Sequence, residues 1–234
     1  MITLLSSLFF IVLTIGIYQI FVWVQAKFSA IWLNPMLFSI VAIVPVLLWQ
    51  DINFEQYYDY TYTLSALLEP AVVALGFPLY QHLQTVKNHW KSYLAILSLG
   101  AIIVIIVSFI MTIAMVNLPE LAVSLSYKSV TTPIGIALTD TNGGISSITA
   151  FAIIIAGLFG AILGPSWLQF IGVKSNSAIG LAIGAGSHAL GTATITKYSF
   201  EQGAFSSLAL IISAVMTAII GPFLMTFLLS NITI

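Results

Sequence analysis

The sequence contains no cysteine, no arginine and few charged residues of either sign. Without cysteine the chain has no disulfide bond, no thiolate nucleophile and no cysteine-based metal site. All six cations are lysines, the formal net charge is -1, and no basic patch indicates nucleic-acid binding. Only 6% of the 234 residues are charged, against about 25% in a typical soluble domain. The surface of this chain must therefore face lipid.

Motifs of the common enzyme classes are also absent from the sequence. It has no Gly-x-Ser-x-Gly elbow, no His-Glu-x-x-His pair and no Walker loop. Its 3 histidines are scattered, which argues against a catalytic metal site. We therefore expect neither enzymatic activity nor a cofactor. An enzyme acting on a lipid is the third and weakest hypothesis, because no polar catalytic triad supports it.

Apolar sequence dominates what is present. Hydrophobic residues make up 60% of the chain, and its mean hydropathy is +1.11. Several apolar runs reach the ~20 residues that a helix needs to cross a bilayer. Their lack of alternation excludes a β-barrel, and backbone groups in lipid must then be paired within helices. The sequence predicts an all-α polytopic membrane protein, with residues 1–234 forming a single transmembrane domain.

About eight apolar segments are predicted, and two or three of them are interrupted; the segment 145–170 is predicted to break late, at Gly164-Pro165. The first is interpreted as a retained helix, because the N-terminus lacks the positive region and cleavage site of a signal peptide. The polar stretch 51–62 is predicted to be a loop or a surface helix, and 81–91 a loop. The lysine-bearing loops favour the cytoplasmic side. The predicted segments cover residues 4–24, 34–49, 64–80, 93–116, 121–138, 145–170, 177–195 and 204–229.

The first polar interruption lies at residues 128–135. Pro133 cannot donate a backbone hydrogen bond and restricts Thr132 before it, and Gly135 relaxes the chain further. This pattern predicts an unwound point between two half-helices. A half-helix that begins near Pro133 would direct its positive dipole end towards an anion, and Lys128 would add a full positive charge.

The second interruption lies at residues 184–194 and is rich in glycine. Small residues there permit close helix packing, and Gly191 tolerates an unwound conformation. His188 is the one histidine inside an apolar segment, and it can titrate near neutral pH. Two discontinuous segments in one membrane protein are typical of a transporter's midplane site. An inverted repeat relating the two segments is a further hypothesis.

Each feature also has a structural explanation. The threonines before Pro133 can form a kink, with their hydroxyls bonded to the helix backbone. The glycine-rich segment can be a packing seam, and His188 can be a structural hydrogen-bond partner. Glu69 can lie at a membrane interface or a helix start, which we favour over a role in ion coupling.

At these same segments the sequence resembles the LrgB/CidB family. The resemblance runs from about Asn34 to the C-terminus, in the expected order. Where many members have glycine before the proline, this chain has Glu69. The segments that carry it are NP (34–35), EPAVVALGFPLY (69–80), KSVTTPI (128–134), GGI (143–145), GSHALGTA (186–193) and GAFSSLA (203–209).

The resemblance implies two kinds of function. Bacterial relatives are described as holin-like or antiholin-like modulators of murein hydrolase export and autolysis, acting with a small LrgA/CidA-type membrane protein. The plant relative resembles a plastid glycolate/glycerate transporter, and some bacterial members are linked to pyruvate movement. The resemblance also implies a multi-pass protein of the bacterial inner membrane.

Taken with the resemblance, the two interruptions favour a transporter or facilitator of small monocarboxylates such as glycolate, glycerate, pyruvate or lactate. Proton coupling through His188 is part of this hypothesis, and the holin/antiholin function is the alternative. A homodimer is expected from the many small residues. The predicted substrate-binding residues are Lys128, Ser129, Thr131, Thr132, Pro133, Ser187, His188, Gly191 and Thr192.

Overall fold

The computed structural model describes residues 2–28, 33–67, 70, 73–74, 76–81 and 83–231. The chain divides into two compact units, Met1–Ala74 and Leu75–Ile234; the prediction of a single transmembrane domain stays a prediction. Every regular element in the described ranges is a helix. The prediction for Glu69 falls outside the described residues. The first unit contains α1 (Ile2–Phe28), α2 (Pro35–Trp49), α3 (Phe54–Tyr60) and α4 (Tyr62–Ala66).

The second unit holds both of the predicted interruptions. Its longest helices pack side by side, with α10 between α9 and α11, and α11 also against α6. Its helices are α5 (Gly76–Gln81), α6 (Leu83–Val116), α7 (Pro119–Ser126), α8 (Thr132–Thr141), α9 (Ser146–Phe170), α10 (Asn176–Tyr198) and α11 (Phe200–Ser230).

The helix lengths make this a multi-pass membrane protein. In the described part of the chain 5 helices are long and apolar enough to span a bilayer, and α2 with α3, bent by 111°, raises this to 6. The predicted number of about eight is not confirmed. Segment 64–80 is only partly described, and segment 121–138 forms two short helices. The five helices contain the spans Leu5–Phe28, Lys87–Val116, Ser146–Phe170, Asn176–Tyr198 and Phe200–Ser230.

Local capping explains where several helices begin. The Asn34 side chain accepts hydrogen bonds from the backbone N–H groups of Met36 and Leu37, at 2.9 and 3.3 Å, so α2 starts at Pro35 as predicted. Asn53 and Gln56 form a reciprocal capping box at the start of α3. The polar stretch 51–62 therefore contains helix, which agrees with the prediction of a surface helix and not with that of a loop.

Two boundary predictions were wrong. The lysine- and histidine-bearing loop predicted at 81–91 mostly belongs to α6, whose exposed first turns carry Lys87, His89 and Lys91. The break predicted at Gly164-Pro165 is absent, and α9 continues through Pro165 to Phe170. Proline removes a single helical hydrogen bond, and apolar sequence on both sides lets the helix continue.

Glycines set the close approach of α10 to its neighbours. A Cβ atom on Gly184 would lie 2.1 Å from the backbone oxygen of Ser206, and one on Gly180 would lie 2.4 Å from that of Gln202. On α9, a Cβ on Gly160 would collide with Ser187, and one on Gly164 with Ile183. Small-residue contacts of this kind are a principal means of packing helices in lipid. The packing explanation of the glycine-rich segment is thus confirmed.

The contact at Gly184 generates a stability prediction. We expect Gly184→Ala to lower the melting temperature of the detergent-solubilised protein, because the new methyl group would force α10 away from the α11 backbone. Overpacking of this kind costs roughly 1–3 kcal/mol. Gly186→Ala is the matched control, since a Cβ atom there meets nothing within 4 Å. Equal melting temperatures for the two variants would contradict the close contact between α10 and α11.

Candidate functional site

The predicted unwound point lies between α7 and α8. Residues 127–131 are non-helical, and Thr131 is extended, with φ -70° and ψ 149°. The second half-helix begins at Thr132 with Pro133 in its first turn, as predicted. At 1.5 Å per residue, α7 is about 12 Å long and α8 about 15 Å, so neither alone crosses a hydrocarbon core of about 30 Å.

A buried hydroxyl network holds this break in place. The Ser124 hydroxyl accepts a hydrogen bond from the Ile145 backbone N–H at 2.7 Å. Thr149 donates to the Ser124 carbonyl at 3.0 Å, and its hydroxyl lies 2.8 Å from that of Thr139. Ser124, Thr139 and Thr149 are fully buried. These contacts fix α7 and α8 to the start of α9 and pair polar groups that the interruption would otherwise leave exposed to lipid.

Tyr127, the first residue of the break, is fully buried. Its ring packs in an apolar cluster that includes Ile105 of α6 and Met225 of α11. The ring also lies against Gly221, where a Cβ atom would come 3.0 Å from Cε1 of Tyr127. An aromatic ring therefore occupies the space that the missing helical turn leaves between α6 and α11.

Lys128 extends from the same break towards α6. Its ammonium group donates to the hydroxyl of Ser108, which is buried, and lies 3.4 Å from the Leu125 carbonyl. The side chain is half-buried, and no carboxylate of the described residues forms an ion pair with it. The lysine thus places a basic group at the helix break without an acidic partner in the described residues.

The second interruption is a sharp kink in α10 at His188. The backbone there has φ 41° and ψ -137°, outside the conformations usual for a residue with a side chain. Such a conformation costs roughly 1–3 kcal/mol and persists only where surrounding contacts enforce it. The kink falls at His188 and not at Gly191, the residue expected to unwind. Gly191 instead packs against Ser187, where a Cβ atom would lie 2.4 Å from Cβ of Ser187.

Hydrogen bonds on both sides enforce the kink. The His188 ring lies 2.8 Å from the Ile153 carbonyl of α9 through Nε2, which must be the donor because a carbonyl only accepts. The Thr192 hydroxyl donates to the His188 carbonyl at 2.8 Å and lies 2.9 Å from the Ser206 hydroxyl of α11. The predicted structural role of His188 is thus present, and Nδ1 remains the basic nitrogen of the ring.

A cavity of about 220 Å³ connects the two interruptions. Four residues at the break, Ser126, Tyr127, Ser129 and Val130, form one wall, and Ala182, Ala185 and Gly186, just before the kink, form another. Two further walls come from α6 and α11. The lining residues are Gly100, Ala101, Val104, Ile105, Ser126, Tyr127, Ser129, Val130, Ala182, Ala185, Gly186, Ser213 and Thr217.

The predicted site residues divide between the wall of this cavity and its surroundings. Ser129 lines the cavity, while Lys128 binds Ser108, one helical turn beyond the lining residues Val104 and Ile105. The hydroxyls of Thr131 and Thr132 make no hydrogen bond within the described residues, so the kink explanation that bonds them to the backbone is not supported. The other predicted site residues do not line the cavity: Thr131, Thr132, Pro133, Ser187, His188, Gly191 and Thr192.

Four polar lining residues were not among the sequence predictions. Ser126 and Tyr127 come just before Lys128, while Ser213 and Thr217 lie one turn apart on α11. The sequence did contain a signal for the last two residues, because a serine and a threonine four residues apart within an apolar span lie on one face of a helix. The described residues contain no group of three or more histidine, aspartate and glutamate side chains arranged to hold a metal ion.

Similar proteins place this architecture in a family. Residues 14–227 match the LrgB-like family. The chain is 34% identical over 224 residues to the holin-like protein CidB of Staphylococcus epidermidis, covering 94% of this chain and 96% of the relative. It is 32% identical over 219 residues to CidB of Staphylococcus aureus, with 94% and 96% covered. An uncharacterized protein of Haemophilus influenzae is 29% identical over 205 residues, with 86% and 89% covered.

No solved structure is significantly similar to the chain. The family match spans both of the interrupted segments and the helices that pack around them. The match therefore includes every segment in which the sequence resembles the family. This protein belongs to the LrgB-like family.

Proposed function

We propose that this protein is a transporter or facilitator of small monocarboxylates such as glycolate, glycerate, pyruvate or lactate. One observation carries the proposal: the break between α7 and α8 and the kinked helix α10 border a single cavity with hydroxyl groups in its wall. Discontinuous helices around a polar site are the usual means of binding a solute within a membrane transporter.

The size of the cavity supports a small solute. Its volume of about 220 Å³ lies below the roughly 300–1,000 Å³ of pockets that hold drug-sized ligands. Its wall contains no charged side chain and is mostly apolar. A short acid with two to three carbons and one further oxygen matches this combination better than a sugar, a nucleotide or a dicarboxylate.

Two positive features at the break suit a carboxylate. The start of α8 presents backbone N–H groups that lack an intrahelical partner, together with the positive end of the helix dipole. Lys128, on the same break, carries a full charge without an acidic partner in the described residues. We assign the carboxylate to this end of the site, with Ser129, Thr131 and Thr132 offering hydroxyls and Pro133 holding the backbone open.

The kinked segment contributes on the opposite side. In this proposal Ser187, Gly191 and Thr192 maintain the kink that leaves Gly186 in the cavity wall, and His188 carries a proton during coupled transport. Ser187 and His188 of α10 contact Gly160 and Gly157 of α9. A change in the hydrogen bonding of these two residues would therefore alter the packing of α9 against α10. Movement of the two halves of α10 about His188 would open the cavity to one side of the membrane.

The relatives named holin-like support a second candidate, a holin-like or antiholin-like protein that affects murein hydrolase export and autolysis. It would act in the bacterial inner membrane with a small LrgA/CidA-type partner, as a homodimer or larger assembly. Carboxylate flux can alter autolysis indirectly, so one protein can have both effects. Leakage that requires the co-reconstituted small partner would favour this candidate. A protein that is strictly monomeric in detergent would exclude the proposed homodimer.

Uptake by purified protein tests the proposal. We expect labelled glycolate and pyruvate to enter liposomes containing only this protein, with saturable kinetics and competition by unlabelled glycerate. An inward proton gradient should accelerate uptake if His188 couples a proton, and His188→Gln should then remove the acceleration.

The same liposomes carry the control for a holin-like activity. An entrapped small fluorescent dye should stay inside while the acids move. Unselective release of dye and acids together, rising steeply with protein density, would refute the transporter and leave the holin-like function.

Lys128 gives a second prediction. We expect Lys128→Gln to raise the KM for uptake about tenfold or more, because a hydrogen bond to a charged group contributes roughly 1.5–3 kcal/mol. Lys128→Arg should retain most of the affinity. Lys174→Gln, in the loop between α9 and α10, is the control for a general loss of positive charge. An unchanged KM in Lys128→Gln would exclude this lysine from the site.

A further inference from the structure

We infer that α1 pairs with α1 of a second copy of this chain, along an exposed seam on which the two Gln19 side chains bond each other. A homodimer is expected from the small residues of the chain, but several of these serve packing within one copy. Gly180 and Gly184 admit the α11 backbone, and Gly160 admits Ser187. The seam on α1 is a separate surface, and the inference does not depend on the proposed transport function.

The seam has the spacing of a coiled coil. Its apolar residues alternate at intervals of three and four, and Gln19 takes the next position in the series. A repeat of seven presents one narrow stripe to a partner helix, and many pairs of membrane helices cross in the same left-handed way. The stripe is open along its length, with exposed fractions of 70% for Leu5, 61% for Leu8, 60% for Val12 and 45% for Ile15.

The other helices of the first unit cover a different face of α1. Phe21 packs against Phe38 of α2, with ring centroids 5.5 Å apart, and the Thr14 hydroxyl lies 2.7 Å from that of Tyr57 on α3. Thr14 and Phe21 are seven residues apart and therefore share a face. At 3.6 residues per turn, the seam that contains Gln19 lies on roughly the opposite face.

Gln19 is the observation that favours protein over lipid as the neighbour of this stripe. Its side chain is exposed and makes no hydrogen bond to a described residue. It belongs to the 24-residue span Leu5–Phe28 and lies about 4 Å from the middle of that span, at 1.5 Å per residue. Polar side chains at this depth are expensive in lipid and face protein or a wet cavity.

A groove beside Gln19 does not supply its partner. Gln19 borders an open groove of about 480 Å³ between α1 and α2. The Ser39 hydroxyl in this groove donates to the Pro35 carbonyl at 2.6 Å, and the hydroxyls of residues 14 and 57 bond each other. Neither these hydroxyls nor that of Tyr18 bonds the Gln19 amide in the described structure. The amide therefore needs a partner beyond the described residues of the first unit.

A second copy supplies that partner by symmetry. Two copies inserted in the same orientation are related by a two-fold axis perpendicular to the membrane, which makes their α1 helices parallel. A residue close to this axis faces its own counterpart. The glutamine amide donates through its nitrogen and accepts through its oxygen, so two Gln19 side chains can pair reciprocally. A polar residue at one seam position also fixes the register and the number of helices.

Cross-linking maps the seam, because the native chain has no cysteine. We expect Ile15→Cys, which keeps Gln19, to form disulfide-linked dimers under mild oxidation in liposomes that contain only this protein. Ile20→Cys is the matched control: Ile20 is also exposed, at 59%, but it lies about 100° around the helix from Gln19 and should cross-link far more slowly. Equal cross-linking of the two variants would overturn the seam.

Gln19→Leu tests the amide itself. Energy transfer between donor-labelled and acceptor-labelled copies, diluted in lipid, measures the dissociation constant of the dimer. We expect Gln19→Leu to raise this constant about 5- to 30-fold, the effect of an interhelical hydrogen bond in model membrane peptides, and Gln19→Asn to retain most of the affinity. Gln25→Leu is the control, because Gln25 lies off the seam and two residues from Lys27 at the end of α1.

Two results of the dilution experiment would contradict the inference. One is a wild-type protein that stays monomeric at every density, which would leave the seam to lipid or to a different protein. The other is a dimer whose dissociation constant is the same in wild type and Gln19→Leu. Because Gln19 bonds no described residue, Gln19→Leu should leave the melting temperature of the monomer unchanged, and this separates loss of pairing from loss of folding.

Discussion

The pairing of backbone groups in lipid is the constraint on which the second unit depends. A hydrocarbon environment offers no hydrogen bonds, so a helix can be interrupted at membrane depth only where protein encloses the interruption. The break after α7 satisfies this condition. Ser124 and Thr149 tie it to α9, and the ring of Tyr127 fills the adjacent space. The break can persist in a membrane because the surrounding helices pair or cover the groups that it exposes.

Small residues make that enclosure possible. Gly184 lets the α11 backbone approach α10, while Gly157 and Gly160 admit His188 and Ser187 against α9. The same close contacts leave Ala182, Ala185 and Gly186 on another face of α10, where they border the cavity. One glycine-rich segment therefore serves both packing and site formation, which were alternatives when considered from sequence alone.

Much of this arrangement could be predicted from sequence, and the remainder depended on tertiary contacts. Pro133 and the polar residues before it located the first break, because proline limits a helix by local sterics. The kink at His188 could not be located in this way. Glycine is the residue that relaxes a backbone locally, whereas His188 is held at positive φ by Ile153 and Thr192. Ile153 lies on another helix, 35 residues away in sequence, so this contact could not be inferred from the local sequence.

The cavity wall shows the same limit. Lys128 and Ser129 stood out because polar residues are rare in this chain, yet Tyr127 read as one more aromatic and Ser213 as one more helix serine. Both line the cavity with hydroxyls that are buried and have no partner in the described residues, and this depends on how α6, the broken segment and α11 pack. The predicted number of spans is similarly not confirmed in the described residues, since hydropathy does not distinguish a crossing helix from two short ones.

Thiol labelling measures the central claim most directly, because the native chain has no cysteine and so gives no background. Gly186→Cys would place a thiol in the cavity wall, at a position with space for a side chain. Gly16→Cys, on α1, is the control.

If the cavity binds small carboxylates, lactate at ten times its Kd should slow modification of the Gly186→Cys variant roughly tenfold and leave the Gly16→Cys variant unaffected. Equal labelling rates with and without lactate at Gly186→Cys would contradict the assignment of this cavity as the substrate site.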